Sequence, residues 1–435
     1  MRKTLLLLIS LFVLAVMAAC NDDVEPEDWE IEFEVEQEYT ELVEQNIDDN
    51  IDASIPIAQA NQLTYEDFWY DFEFLLQNLE ENFPFFGVIE RRLRLSNPLE
   101  MFRNHGLPED ADTLHLTFPG RIRTGFGMFG NIAHLDLNPP WHWRRPWTPS
   151  SPAPHISDYA SNTLPLARHF INPPLQTHSR IIEEGRIALI MTPPDFFNSH
   201  VISPQAAREL RDFIGEIQGY EHIIIDFRHI RGGWYTSFKN TFIRPNISEP
   251  LSFYEFAFIT DGERAQQTYR NMSVAIPRDT DSFVQNVVDG SIMPAELFAE
   301  QHNLINMNTD DLENLAYGFL LETFAQPCSL RLPLLADNIW LLTGRRNYSA
   351  AAISARLAKE AGFILVGQEA GTRSSWGRVH FPLPRTGHNI GMDLFYITDD
   401  TGRNTEEFPV EPHYFNRAPL DALDTVLAII AERSE

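Results

Sequence analysis

The sequence predicts an α/β protein, with a mostly parallel sheet in its C-terminal part and a helical domain before it. Two observations predict the sheet. Four short apolar runs, "RIALIMT" (186–192), "HIIIDF" (222–227), "IWLLT" (339–343) and "FILVG" (363–367), show no alternation, as expected of strands covered on both faces. Helical text separates them, from Pro204 to Ile217 and again in "SAAAISARLAKE"; strand–helix–strand alternation implies parallel pairing with right-handed crossovers. A third observation places the helical part. "YEDFWYDFEFLLQNLEENF", Tyr65 to Phe83, spaces its apolar residues as an amphipathic helix does, and Pro84 ends it. The chain has 435 residues, 43% of them hydrophobic, enough for a sizeable core in two domains or one large domain with appendages.

In chain order, residues 62–138 read as the N-terminal helical domain, in which Leu99 to Asn104 continues the helices as far as "FGNIAHLDLNPP". Residues 139–184 are rich in Pro, Trp and Ser and read as an irregular connection. The α/β core spans 185–435. "LSFYEFAFIT" within it reads as a further strand or hairpin arm, and an insertion at about 263–330 is polar and expected to be largely helical.

The N-terminus is a processing signal. Arg2 and Lys3 precede an apolar stretch, Leu5 to Met17, that is too short to span a bilayer. "VMAAC" follows, and it resembles the lipobox of bacterial lipoproteins. That resemblance implies a signal peptide over residues 1–19, cleavage before Cys20 and a lipid on the Cys20 thiol. An ordinary signal with an incidental cysteine is the alternative. Cys328, the other cysteine, has no disulfide partner within the chain and is expected to be a small buried hydrophobe. Residues 20–61 read as an acidic stalk, because the stretch 21–50 holds fourteen Asp and Glu and no Lys or Arg. "DWEIEFEVE" in that stretch alternates like a strand, so a docked edge strand is equally compatible. The net charge of −29 argues against nucleic acid or an anionic membrane surface as a partner, which leaves the lipid on Cys20 as the membrane contact. No His-Glu-x-x-His, paired-cysteine or phosphate-loop pattern is present, so no metal or nucleotide cofactor is inferred.

In an open α/β sheet, catalytic groups gather beyond the carboxyl ends of the strands. Here one strand ends at Gly232-Gly233, where paired glycines let backbone N–H groups face a ligand, or simply make a turn. Another delivers Ser349 to a helix entrance. A serine there is either an N-cap or a nucleophile whose oxyanion meets unpaired helix N–H groups, and the stretch alone leaves both open. A third strand leads into "VGQEAGTRSSWG".

Five segments, in order, resemble the tail-specific and tricorn-core-like serine peptidases. "FGNIAHLDL" stands where that family has Asp-Gly-His-Thr, and "GRIALIMTPPDF" resembles the opening strand of its core. "HIIIDFRHIRGGW" resembles its Asp-x-Arg-x-Asn-x-Gly-Gly motif. "LLTGRRNYSAAAISARLAKEAGFILVGQEAG" resembles its nucleophile strand and helix, and "NTEEFPVEPHY" its closing Glu-x-x-Gly-Val-x-Pro-Asp. The resemblance implies a crotonase-like, ClpP-related core in a branch with a serine, a histidine and a glutamate. It makes Ser349 the nucleophile, His134 the general base and Glu406 the orienting carboxylate. On that reading the Ala350 N–H, with one from Gly232 or Gly233, would form the oxyanion hole. The family's alternative serine–lysine dyad does not fit. Arg373 stands near the place of the lysine and cannot act as a base, which leaves it as a substrate-side cation. Lys359 lies ten residues into the helix, roughly 15 Å from Ser349 along the axis. Asp226 and Arg228 are expected to form a structural ion pair or turn bonds, and His142 among Trp141, Trp143 and Trp147 a packed aromatic loop, with the lining of a substrate groove as the alternative. The stretch between His134 and Gly185 is too short for the PDZ domain that many members carry.

The family polar residues after the serine are Ala350, Ala351 and Ala352 here. Its Asp-Gly before the histidine is Ile132-Ala133, its asparagine is Ile230, and the glycine of its closing motif is Pro409. The resulting expectation is a lipid-tethered peptidase, outside the bacterial cytoplasmic membrane, that hydrolyses peptide or protein substrates through an acyl-enzyme. A catalytically silent relative that binds peptides or a surface partner is the alternative. A solute-binding lipoprotein would want two similar lobes, and the pattern shows one.

Overall fold

The N-terminal helices form where the apolar spacing places them. A computed structural model describes residues 63–105, 114–130, 132–138, 179–192, 204–230, 232–233, 235–273, 285–328, 332–371 and 377–434. The processing signal, Cys20, the stalk, the Pro/Trp-rich stretch with His142, and Arg373 lie outside the described residues. Helix α1 (Tyr65–Asn82) opens on a capping box, in which the Thr64 side chain accepts from the Asp67 N–H and Asp67 answers the Thr64 N–H. It buries Phe68, Phe72, Leu75, Leu76 and Leu79 on one stripe. Helices α2 (Phe86–Leu93), α3 (Pro98–His105) and α4 (Leu114–Met128) follow.

Strand β1 (Asp136–Asn138) then joins a small antiparallel sheet, described below. The central sheet has six strands. β2 (Arg180–Glu183) pairs antiparallel with β3 (Ile187–Met191) at one edge. β3, β4 (His222–Asp226), β9 (Asn338–Thr343), β10 (Ile364–Gly367) and β14 (Tyr414–Phe415) are parallel, in the order β14-β10-β9-β4-β3-β2. The sheet is covered on both faces, as the unbroken apolar runs require. One face meets α5 (Pro204–Glu216) and α9 (Ala350–Glu360) through Leu210, Ile214, Ile223, Ile225, Leu341 and Ile353. The other meets α10 (Ala422–Ser434) through Ile224, Trp340, Val426 and Ile430. Ile223, Ile224 and Ile225 have no exposed surface. Each such burial contributes about 1.5–3 kcal/mol, so the β4 end is firmly held.

The segment expected to be a largely helical insertion contains helices α6 (Glu263–Ser273), α7 (Ala295–Gln301) and α8 (Thr309–Glu313). It also supplies β6 (Gln285–Val287), β7 (Met293–Pro294) and the nine-residue β8 (Tyr317–Ala325). β8 pairs along its whole length with β5 (Leu251–Ile259), and β13 (Tyr396–Thr398) adds to the other side of β5. β8 is thus central to a second, antiparallel sheet: alternation in "YGFLLETFA" is broken by burial on both faces, which hides the strand period. A third sheet has the order β1-β12-β11, from β11 (Arg378–Pro382) and β12 (Asn389–Asp393). The N-terminal helices share one core with the second and third sheets, through residues such as Phe72, Phe129, Phe258, Phe319 and Met392. Cys328 is free and half-buried, where the sequence suggested full burial.

Candidate active site

Ser349 follows β9 through the turn 344–348 and opens α9. Its backbone sits at φ 57°, ψ −126°, and its side chain makes no capping hydrogen bond. An N-cap has extended backbone and accepts from the second or third helical N–H, so Ser349 is no cap. A non-glycine residue at this φ/ψ stores about 1–3 kcal/mol of strain, which the surroundings must hold. A serine on a strained strand-to-helix turn is the geometry of a nucleophile elbow. The three alanines explain themselves by packing. Ala350, Ala351 and Ala352 are 3%, 0% and 0% exposed, so their methyl groups are packed into the core at the helix entrance.

The Gly232-Gly233 turn approaches this elbow. Both residues take φ values open only to glycine, 135° and 125°. A Cβ on Gly232 would lie 2.6 Å from the Tyr348 carbonyl oxygen and 3.2 Å from the Ser349 Cβ. Glycine is therefore what lets the loop after β4 reach the serine. Ala350 is the first residue of α9, and its N–H is among those that lack a partner within the helix.

His134 arrives from the N-terminal part. Ala133 takes φ 58°, ψ 38° and His134 φ 46°. The glycine of the resembling motif is absent here, but Ala133 keeps the left-handed backbone a glycine would adopt freely. The His134 N–H donates to the Tyr348 hydroxyl oxygen at 3.3 Å, and the two rings lie 4.7 Å apart between centroids. The imidazole thus rests on the residue immediately before Ser349. No hydrogen bond joins His134 to Ser349 among the described residues; such contacts are often loose in free enzymes and tighten with substrate.

The carboxylate on the imidazole is Asp393. Its Oδ2 is 2.6 Å from His134 Nδ1, and the Asp393 side chain is fully buried while that of His134 is 13% exposed. The cause is strand register. β1 pairs with β12 as Asp136↔Gly391, Leu137↔Ile390 and Asn138↔Asn389, and the same register carried two residues further sets position 134 opposite 393. The carboxylate that meets the His134 imidazole is therefore Asp393, and Glu406, which the resemblance puts in an orienting role, meets Arg92 instead. Glu406 is buried in the loop after β13, with Arg92 Nη1 at 3.4 Å. Sequence reasoning missed Asp393; the signal was an aspartate inside an otherwise apolar run, "IGMDLFYI", since such a residue is rarely buried without a partner.

The loop holding Glu406 is tied to the helical region. Arg91 donates to Asp311 at 3.0 and 2.5 Å and to Glu407 at 2.9 and 2.7 Å, and the Tyr396 hydroxyl donates to Asp311 at 2.6 Å. Burial opposes charge on Arg91, but its bonds to the Glu407 and Asp311 carboxylates outweigh it and hold the guanidinium above its ordinary pKa. Burial, with the Asp311 charge, pushes the Tyr396 phenol up as well. Asp226 and Arg228 form the expected structural pair. Arg228 Nε and Nη2 meet the two Asp226 oxygens at 2.9 and 2.6 Å, and Nη1 reaches Asp421 at 2.8 Å.

Residues 190–415 match the model of peptidase family S41. The chain belongs to peptidase family S41. The S41 match takes in Gly232, Gly233, Ser349, Asp393 and Glu406; His134 lies before it and reaches the site through the β1–β12 ladder. Among solved structures, the chain is similar to a candidate peptidase from Parabacteroides merdae, at 14% identity over 83% of this chain and 96% of that one, with a TM-score of 0.47. It is also similar to a lipoprotein from Streptococcus agalactiae, at 13% identity, 84% and 96% coverage and a TM-score of 0.41. The photosystem II D1 C-terminal processing protease matches at 10% identity over 53% of this chain and 42% of that one, with a TM-score of 0.28. None of the curated proteins matches. The assignment to S41 rests on the family match.

Proposed function

We propose that this S41 chain is an active serine peptidase that works through an acyl-enzyme on Ser349. The observation that carries the reading is the Ser349 backbone, held in a strained conformation with no capping bond to justify it. With Asp393 on Nδ1, the neutral imidazole keeps its proton there and presents Nε2 as the base. Nε2 takes the Ser349 proton as Oγ bonds to the scissile carbonyl carbon, and the carbonyl electron pair moves onto oxygen. The oxyanion is met by N–H groups of Ala350 and of Gly232 or Gly233, each worth about 2.7–4 kcal/mol in comparable sites. The C–N bond breaks as the imidazolium protonates the departing amine, and a water repeats the sequence to release the acid. Glu406, neutralised by Arg92, anchors the closing loop, and Arg373 serves as a cation for a substrate carboxylate.

The mature protein is held outside the cytoplasmic membrane by lipid on Cys20. The support for this is "VMAAC" after a short apolar stretch and an acidic stretch that keeps the core off the surface. Cys20→Ala releases or misprocesses the protein while the core stays folded; a correctly cleaved Cys20→Ala protein still found in membranes refutes the anchor. The catalytic reading is tested with a fluorophosphonate and mass spectrometry of the labelled peptide. Label falls on the peptide containing Tyr348 and Ser349 and disappears in Ser349→Ala. Absence of both labelling and ester hydrolysis in the wild type leaves a peptide-binding relative as the function.

A further inference from the structure

The polar residue that resemblance places in the loop after β4 is missing, because Ile230 stands there, buried in the core. Yet that loop carries Gly232 to within contact of the nucleophile. Something else must hold it, and the side chain that does so comes from the other turn. Asn347 is 0% exposed. Its Nδ2 donates to the Phe227 carbonyl at 2.7 Å and the Ile230 carbonyl at 2.8 Å, and its Oδ1 accepts from the Gly344 N–H at 2.7 Å. Both amide protons and one acceptor position are thereby used, which is close to the full capacity of an asparagine.

We infer that Asn347 is a positioning residue that sets the spacing between the nucleophile and the glycine N–H donors; this rests on the peptidase reading. The geometry is short-ranged. Ser349 is two residues beyond Asn347, and Gly232 is two residues beyond Ile230. One side chain therefore fixes both turns of the site relative to each other, at the ends of the adjacent strands β4 and β9. Preorganised donors act only if they already stand where the oxyanion will form, so loosening this link costs turnover and leaves ground-state binding alone. Asparagine suits the task and aspartate does not, because a carboxylate would face two carbonyl oxygens in a buried place.

The test uses Asn347→Ala and Asn347→Asp in the full chain. For Asn347→Ala, kcat on a peptide ester falls about 100-fold, in line with a misplacement of about 1 Å, while KM stays within about twofold of wild type. Binding of a peptide boronate, a mimic of the tetrahedral state, weakens in parallel with kcat, and binding of the product peptide does not change. Asn347→Asp falls at least as far although it can keep the Gly344 contact. Amide exchange over 227–235 speeds up in both. If Asn347→Ala does not fold, Asn347→Ser, whose hydroxyl can keep one of the three bonds, is measured in the same way. Wild-type kcat in a folded variant, a rise in KM alone, or unchanged exchange overturns the proposal. A wild type that neither hydrolyses the ester nor takes the fluorophosphonate overturns the peptidase reading, and the exchange result then judges the link by itself.

Discussion

Replacing Asp393 by Asn tests the base assignment at its most sensitive point. The two side chains have nearly the same shape, so packing changes little in a position with no exposed surface. The hydrogen-bond logic changes completely. Asp393 Oδ2 accepts from His134 Nδ1 at 2.6 Å, whereas Oδ1 has no hydrogen-bond donor among the described residues. An acceptor beside Oδ1 would be repelled by the carboxylate, so an amide NH2 turned that way would be a buried donor without an acceptor, at a cost of about 1–3 kcal/mol. The Asn amide therefore turns its NH2 toward Nδ1. The ring proton moves to Nε2, and the imidazole can no longer take the proton of Ser349. The comparable tautomer reversal in a serine–histidine–aspartate triad costs about 10⁴ in kcat, or about 5.5 kcal/mol of transition-state stabilisation. The expected loss here is about 10³–10⁴-fold, approaching Ser349→Ala, with fluorophosphonate labelling slowed equally. Stopped assays on a peptide ester, with circular dichroism to confirm folding, measure it. A folded Asp393→Asn enzyme within tenfold of wild type would refute the role of Asp393 as the partner of the base.

Three further outcomes follow from the same geometry. Gly232→Ala places a Cβ 2.6 Å from the Tyr348 carbonyl oxygen at φ 135°; the loop must move, and ester hydrolysis drops by about 100-fold or more, whereas unchanged turnover shows that the loop does not form part of the site. Arg91→Met leaves Asp311, 2% exposed, without its cation; because Arg91 itself is 32% exposed, the loss sits below the usual range for a buried pair, at about 2–3 kcal/mol in urea unfolding, and a loss under about 0.5 kcal/mol contradicts it. Burial lowers the pKa values of His222, His302 and His413. A depressed folded pKa means that the unfolded chain binds protons first, so stability is full above about 6.5 and falls as the pH drops through the lowered values; a urea midpoint independent of pH between 7.5 and 5.5 speaks against this.

The sequence by itself determined the local elements. Unbroken apolar runs gave the parallel strands because burial on both faces removes the need for polar residues. The three-to-four spacing of Phe68, Phe72, Leu75, Leu76 and Leu79 defined α1 for the same energetic reason. It also located Ser349 at a helix entrance and Gly232-Gly233 at a strand end, because those features are written within a few residues. What tertiary structure decided was everything that depends on pairing between distant segments. β8 was hidden because both its faces are covered, so its text no longer alternates. Whether Ser349 is a cap or a strained elbow is a matter of two backbone angles that residue identity does not fix. The partner of His134 was decided by the register of β1 on β12: a shift of one residue would have turned Asp393 to the opposite face of the sheet, and nothing in either short strand taken alone specifies the other. Asn347 reads as an ordinary turn residue until β4 and β9 lie side by side, when its amide becomes the bond between the two loops that bracket the serine.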